Sequence, residues 1–229
     1  MRKTTRFVTA TVAASAVAFL LNMPTTASAA GHEMVEGPKV KWRASLWGKR
    51  RAFTESWEFL SKTVKERTGG NFELKLYYGE QLSKSKENLD GISVGAFDAA
   101  MVCQSYHPDK TPAANVLDLP FLPITNFNVQ YDVAKAVFDH PAVKKDFEKW
   151  NAIIFAINML PQYEYMGKGT PPAKVSDFKG KRLRALGGMG RAALKIGAVP
   201  TTVPASETYN ALARGTVDAA GFPFTYAFS

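Results

Sequence analysis

From Val40 onward the spacing of apolar residues changes repeatedly, and each change marks a new element. Val40–Leu46 reads as a strand. Phe53, Trp57, Leu60 and Val64 then recur at helical spacing with Lys, Glu and Ser between them. Thr68-Gly69-Gly70 closes that helix, because glycine accepts the left-handed conformation of a helix end. Phe72, Leu74 and Leu76 alternate with Glu73 and Lys75, the period of a half-buried strand. A second helix is expected over 83–94, stopping at Gly95. Residues 97–103 form a nearly continuous apolar run, the pattern of a strand covered on both faces. Strand, helix, strand, helix, strand implies a mostly parallel sheet flanked by helices.

Beyond this unit, 116–123 is an apolar segment bounded by prolines. Helices are expected at 128–139 and 142–150, and a strand at 152–157. The same grammar then restarts, with strands near 163–166 and 182–186 and helices near 189–196 and 206–214. Gly95-Ala96-Phe97-Asp98-Ala99-Ala100 returns as Gly215-Thr216-Val217-Asp218-Ala219-Ala220. In both places a helix ends at glycine, an aspartate follows and a small apolar strand begins. The echo implies two similarly wound lobes of an α/β protein.

Residues 1–30 obey a different rule. Arg2, Lys3 and Arg6 precede a short apolar run, and Thr-Thr-Ala-Ser-Ala-Ala supplies a small-x-small ending. This is the pattern of a cleaved export signal, with the cut near Ala29 or Ala30, and it implies a periplasmic mature protein. Its removal takes three positive charges and no negative ones, so the formal net charge falls from +9 to +9 − 3 = +6. The remaining excess is dispersed and lacks the concentrated basic face that nucleic-acid binding requires.

Catalytic constellations are missing. His32, His107 and His140 have no metal-ligand spacing, so neither a metal nor a cofactor is expected. No G-x-S-x-G elbow, P-loop or dinucleotide fingerprint occurs. Cys103, the one cysteine, sits in an apolar stretch as an inert thiol. Gly187-Gly188-Met189-Gly190 reads as a strand-to-helix turn whose amides face a cleft and suit an anion. Trp47 and Gln104 follow strands, at the edge where open parallel sheets hold ligands.

Several segments in order carry a family resemblance. They are Thr68-Gly69-Gly70, Gly79-Glu80-Gln81-Leu82, Gly95-x-x-Asp98 and Val116-Leu117-Asp118-Leu119-Pro120-Phe121-Leu122. Asp177-Phe178-Lys179-Gly180-Lys181-Arg182-Leu183-Arg184, Ala198-x-Pro200, Tyr209-Asn210-Ala211-Leu212 and Gly215-Thr216-Val217-Asp218 complete the set. The chain resembles the dicarboxylate-receptor-type substrate-binding subunits of tripartite ATP-independent periplasmic (TRAP) transporters. The resemblance implies a two-lobed binding protein with a hinge and an interlobe cleft, with lobes at 31–160 and 161–229. Family chains continue through the second lobe, so that lobe is expected to be incomplete at Ser229 and the isolated chain to be fragile. The implied partners are a small organic acid and the transporter's membrane subunits. A ligand-presenting sensor is the alternative role, and a secreted α/β hydrolase the rival from another class.

The resemblance also assigns the anchor: Arg184 pairs with a ligand carboxylate. Many relatives carry a second arginine where this chain has Glu164, and an asparagine where it has Phe222. One cation therefore implies a monocarboxylate, with a dicarboxylate as the alternative. Glu164 either accepts hydrogen bonds from the ligand or points to solvent, and Phe222 either stacks on the ligand or belongs to the core. Trp47 and Gln104 complete the expected site.

Overall fold

The computed structural model describes residues 33–223, apart from 121, 123 and 125. Residues 1–30, where an export signal is expected, Phe121 of the Leu-Asp-Leu-Pro-Phe motif and Ser229 lie outside the described residues. In the first unit, β1 (Val40–Ser45), α1 (Glu55–Arg67), β2 (Phe72–Tyr77), α2 (Asn88–Ser93) and β3 (Ala99–Ala100) alternate. The strands order as β2-β1-β3, with β1 parallel to both neighbours. Ala44, Leu46, Trp57, Leu74 and Met101 close the core between sheet and helix, and Leu60 and Val64 of α1 pack against it. The helical spacing of residues 57, 60 and 64 thus has its physical cause: each full burial of such a side chain contributes roughly 1.5–3 kcal/mol.

Helix α1 stops where the sequence says it must. Gly69 and Gly70 have φ of 57° and 84°, in the left-handed region. The Thr68 hydroxyl donates to the Val64 carbonyl (2.7 Å) and accepts the Phe72 N–H (2.9 Å), tying helix end to strand start. After β3 the chain forms a 3-10 segment at Pro112–Asp118, then α3 (Phe127–Asp139) and α4 (Pro141–Glu148). Leu89, Ala114, Val143, Phe147 and Ala152 form their shared core.

A second sheet contains β4 (Tyr163–Gly167), β5 (Arg182–Arg184), β6 (Val199–Thr201) and β7 (Ala219–Pro223), with α5 (Gly187–Lys195) and α6 (Thr208–Ala213). Its order is β4-β7-β5-β6, with β5 parallel to β6 and β7, and β4 antiparallel on the edge. Without β4 this sheet repeats the first: β5, α5, β6, α6 and β7 stand as β1, α1, β2, α2 and β3. The second round therefore begins at β5 and not at the strand near 163.

The sequence echo has a geometric cause. Asp98 accepts the backbone N–H of Arg43 through Oδ2 (2.8 Å) and donates its own N–H to the Arg43 carbonyl (3.0 Å). Asp218 does the same to Arg182 at 2.8 and 2.7 Å, and its carboxylate also takes the Arg182 guanidinium. Each aspartate pins the entry of the last strand of its round, β3 or β7, to the central strand beside it. The preceding glycines, Gly95 and Gly215, have φ of 68° and 69°.

Four expectations need correction. Helix α2 begins at Asn88 rather than near 83, because the Glu80 carboxylate captures the Ser85 N–H (3.0 Å) and holds that stretch in turns. Strand β3 is short: after Met101 bonds to Ser45 the chain bends into a 3-10 turn at Gln104–Tyr106. Residues 152–157 are not a strand; Ala152 is buried in the helical core while Ile153 is exposed. Strand β6 was not anticipated, since it is three residues with a central proline, which only an edge strand tolerates.

The paired aspartates generate a test. Asp98→Ala should lower the unfolding free energy by about 1 kcal/mol in urea titration, and Asp98→Asn, which keeps an acceptor, should lie close to wild type. The Arg182 guanidinium and N–H hold the Asp218 carboxyl down at about 2, against an ordinary 3.8. Its stabilisation is complete above pH 3.8 and is lost as pH falls toward 2.

Candidate functional site

The ends of the strands converge on one cavity. Trp47 follows β1, Cys103 and Tyr106 follow β3, Arg184 ends β5, and Phe222 and Pro223 end β7. Strand β4 runs the opposite way, so its first residue, Tyr163, joins them with Leu160. Leu186 and Ala205 close the lining. The enclosed space is little larger than a water molecule.

Arg184 is the chemical centre. Its side chain is 1% exposed, a costly position for a permanent cation. Nε donates to the Val203 carbonyl (3.0 Å), Nη1 to the Gly221 carbonyl (2.5 Å) and Nη2 to the Tyr106 hydroxyl (3.3 Å). The guanidinium carbon stands 4.3 Å from the centre of the Phe222 ring. Among the described residues no carboxylate pairs with it. Three of the five guanidinium N–H groups are thus engaged, which leaves Nη1 and Nη2 one each. Such a pair of N–H groups suits a planar carboxylate.

Of the residues expected from sequence, Trp47, Arg184 and Phe222 come together here. Phe222 is half-buried, and its ring lies beneath the Arg184 guanidinium. Glu164 does not line the cavity. It lies opposite Phe222 in the ladder, but on the edge strand, where its side chain is exposed and Tyr163 takes the lining position. Gln104 is also outside the lining, because its amide donates to Asp118 Oδ1 (3.3 Å). The aromatic residues Tyr106 and Tyr163 were missed. Tyr106 sits on an irregular turn with no periodic signal, and Tyr163 is one residue from Glu164, the position that the resemblance points to.

Asp118 explains the glycine-rich turn. A Cβ at Gly187 would lie 2.5 Å from Asp118 Oδ2, and one at Gly188 2.4 Å from the Asp118 carbonyl oxygen. The space at this helix start is therefore filled by the protein's own Asp118. Asp118 Oδ1 accepts from Ser105 (2.8 Å) and Gln104, while Oδ2 is buried with no hydrogen bond. Burial pushes this carboxyl up to about 6. His107, 3% exposed with Nε2 unpartnered, is pushed down to about 4 by burial and by Lys110. Burial likewise raises the Cys103 thiol, which keeps it protonated at neutral pH.

A family model described as bacterial extracellular solute-binding protein, family 7, matches residues 44–229. The chain belongs to that family. The monocarboxylate 2-oxoacid-binding periplasmic protein of Nostoc sp. is 28% identical to this family 7 chain over 185 residues, 80% of this chain and 50% of the relative. A Bordetella pertussis extracytoplasmic solute receptor binding pyroglutamic acid is 25% identical, with a TM-score of 0.68 over 80% of this chain and 60% of the other. A TRAP solute-binding protein from Sulfurospirillum deleyianum, solved with succinate, shares the fold at 21% identity and a TM-score of 0.69, over 84% and 62%. The family 7 chain spans about half the length of the curated relatives it matches.

Asp118 and His107 should oppose each other in acid. Between pH 6.5 and 4 the unfolded chain protonates its histidine while folded His107 stays neutral, so stability falls with pH. Between pH 6 and 3.8 folded Asp118 binds its proton first, so stability rises as pH falls. Asp118→Asn removes that gain. Its melting free energy should drop by about 1–2 kcal/mol more than wild type between pH 6.5 and 4.5. Parallel pH profiles of the two proteins would contradict this.

Proposed function

We propose that this family 7 protein is an extracytoplasmic receptor that captures a small organic acid and delivers it to TRAP membrane subunits. The observation that carries the reading is the buried Arg184 guanidinium, which has no acidic partner among the described residues and holds N–H groups in reserve. A cation so placed gains most from a ligand that brings its own carboxylate. In this reading lobes at 31–160 and 161–229 close on the ligand, and residues 1–30 are an export signal. The protein acts by binding and release, with no chemical step.

A monocarboxylate is the favoured ligand. The cavity offers one arginine, while Trp47, Tyr106, Tyr163 and Phe222 supply flat apolar walls for the remainder. The 2-oxoacid and pyroglutamate ligands named for two relatives are monocarboxylates, and the succinate of the third keeps the dicarboxylate alternative open. Glu164 could reach a ligand only by turning inward from the sheet edge.

Calorimetric titration with pyruvate, L-pyroglutamate, benzoate and succinate separates these readings, using protein from the full reading frame. Arg184→Ala should weaken carboxylate binding by several kcal/mol, because a desolvated ligand charge loses its partner. Arg184→Lys should also weaken it, because the planar fork is lost. Tight succinate binding with no response to the three monocarboxylates would overturn the ligand class. Mass measurement of exported protein should show a start at Ala30 or Gly31, and an intact Met1 would refute cleavage.

A further inference from the structure

The cavity wall contains a residue whose contacts differ in kind from the others. Tyr106 belongs to the first unit, on the 3-10 turn after β3, with its ring 7% exposed and edge-on to Trp47 at 6.1 Å. Its hydroxyl, however, meets the second unit. It accepts the Ala205 N–H (2.9 Å) and the Nη2–H of Arg184 (3.3 Å). The other partners of Arg184, the Val203 and Gly221 carbonyls and the Phe222 ring, all lie in the second unit itself.

Two further side-chain bonds cross between the units: Lys86 Nζ to the Thr202 carbonyl (2.9 Å) and Ser206 Oγ to Glu80 Oε1 (3.5 Å). Both are exposed, so water replaces them at little cost when the units part. The Tyr106 bonds are shielded, and shielding makes their loss expensive. Each unit has its own sheet, and among the described residues no strand is shared between them. Separation of the units would therefore leave each sheet intact, expose Asp118 and Ala205 where they pack across the cleft, and uncouple Nη2 from the hydroxyl.

We infer that Tyr106 is a positioning residue that couples closure of the two units to the aim of Arg184. With the units together, Nη2 is held from across the cleft and the outward N–H edge has one orientation. With the units apart, the guanidinium keeps only its attachments to its own unit. The inference rests on the reading of Arg184 as the carboxylate anchor, but closure itself can be measured without a ligand.

Tyr106→Phe removes one oxygen and preserves the ring that packs on Trp47. Two measurements on protein from the full reading frame test it. Amide hydrogen exchange without ligand should be several-fold faster in the variant over 101–107 and 201–206, and unchanged over α1 and α4. Faster exchange throughout the chain would mean a purely structural role and would overturn the inference, as would identical exchange at the cleft. Stopped-flow binding is then measured with whichever of pyruvate, L-pyroglutamate, benzoate or succinate the wild type binds. The variant should release it about tenfold faster with an unchanged association rate. A loss confined to association would overturn the coupling. If wild type binds none of the four, the ligand reading fails while the exchange result still decides the role of Tyr106.

Discussion

A permanent charge buried to 1% exposure organises this protein. Arg184 cannot shed its proton, so the surroundings must replace its hydration or the fold loses several kcal/mol. They do so with peptide carbonyls from a loop and from β7, a phenolic oxygen from the other unit and an aromatic face. None of these groups neutralises the charge. The site therefore remains attractive to an anion while satisfying enough of the guanidinium to be folded beforehand, and preorganisation of this kind lowers the cost of binding.

That arrangement needs strand ends delivered from two directions to one place, and the repeated β-α-β-α-β unit does this. In each unit a central strand is flanked by two parallel neighbours, and residues past the strand ends lie at the cavity. An aspartate at the entry of β3 and of β7 locks that strand to the central one, once through Arg43 and once through Arg182. Fixing the entry fixes the register, and the register decides which side chain emerges at the far end. Ala99 and Ala100, like Ala219 and Ala220, are small enough for helices to pack closely over the sheet.

The elements with strong periodicity were legible in the sequence. Helix α1, strand β2 and the glycine stops between them followed from apolar spacing and from the conformations glycine permits. The Gly-x-x-Asp echo was legible as well, and it marked a real duplication of topology. What escaped was decided by partners distant in sequence. Residues 152–157 have the composition of a strand, but only Ala152 and Ile154 pack in the helical core while Ile153 is exposed. Strand β6 exists only because β5 offers it an edge. At the site, Arg184, Trp47 and Phe222 were readable from position and resemblance. Tyr106 was not, since an irregular turn carries no period. Gln104 was displaced from the lining by Asp118, whose burial against Gly187 and Gly188 no local pattern announces.

The antiparallel edge strand has an evolutionary consequence. Tyr163 faces Pro223 and Glu164 faces Phe222 across the β4–β7 ladder, and among the described residues β4 has no partner on its other side. An edge strand is the one strand of a sheet that can slide without disturbing the rest. Deleting one residue from the segment before β4 would draw β4 back by one step and carry Glu164 to the place of Tyr163. A single event of that kind would exchange an aromatic wall of the cavity for a carboxylate while leaving Arg184 in place.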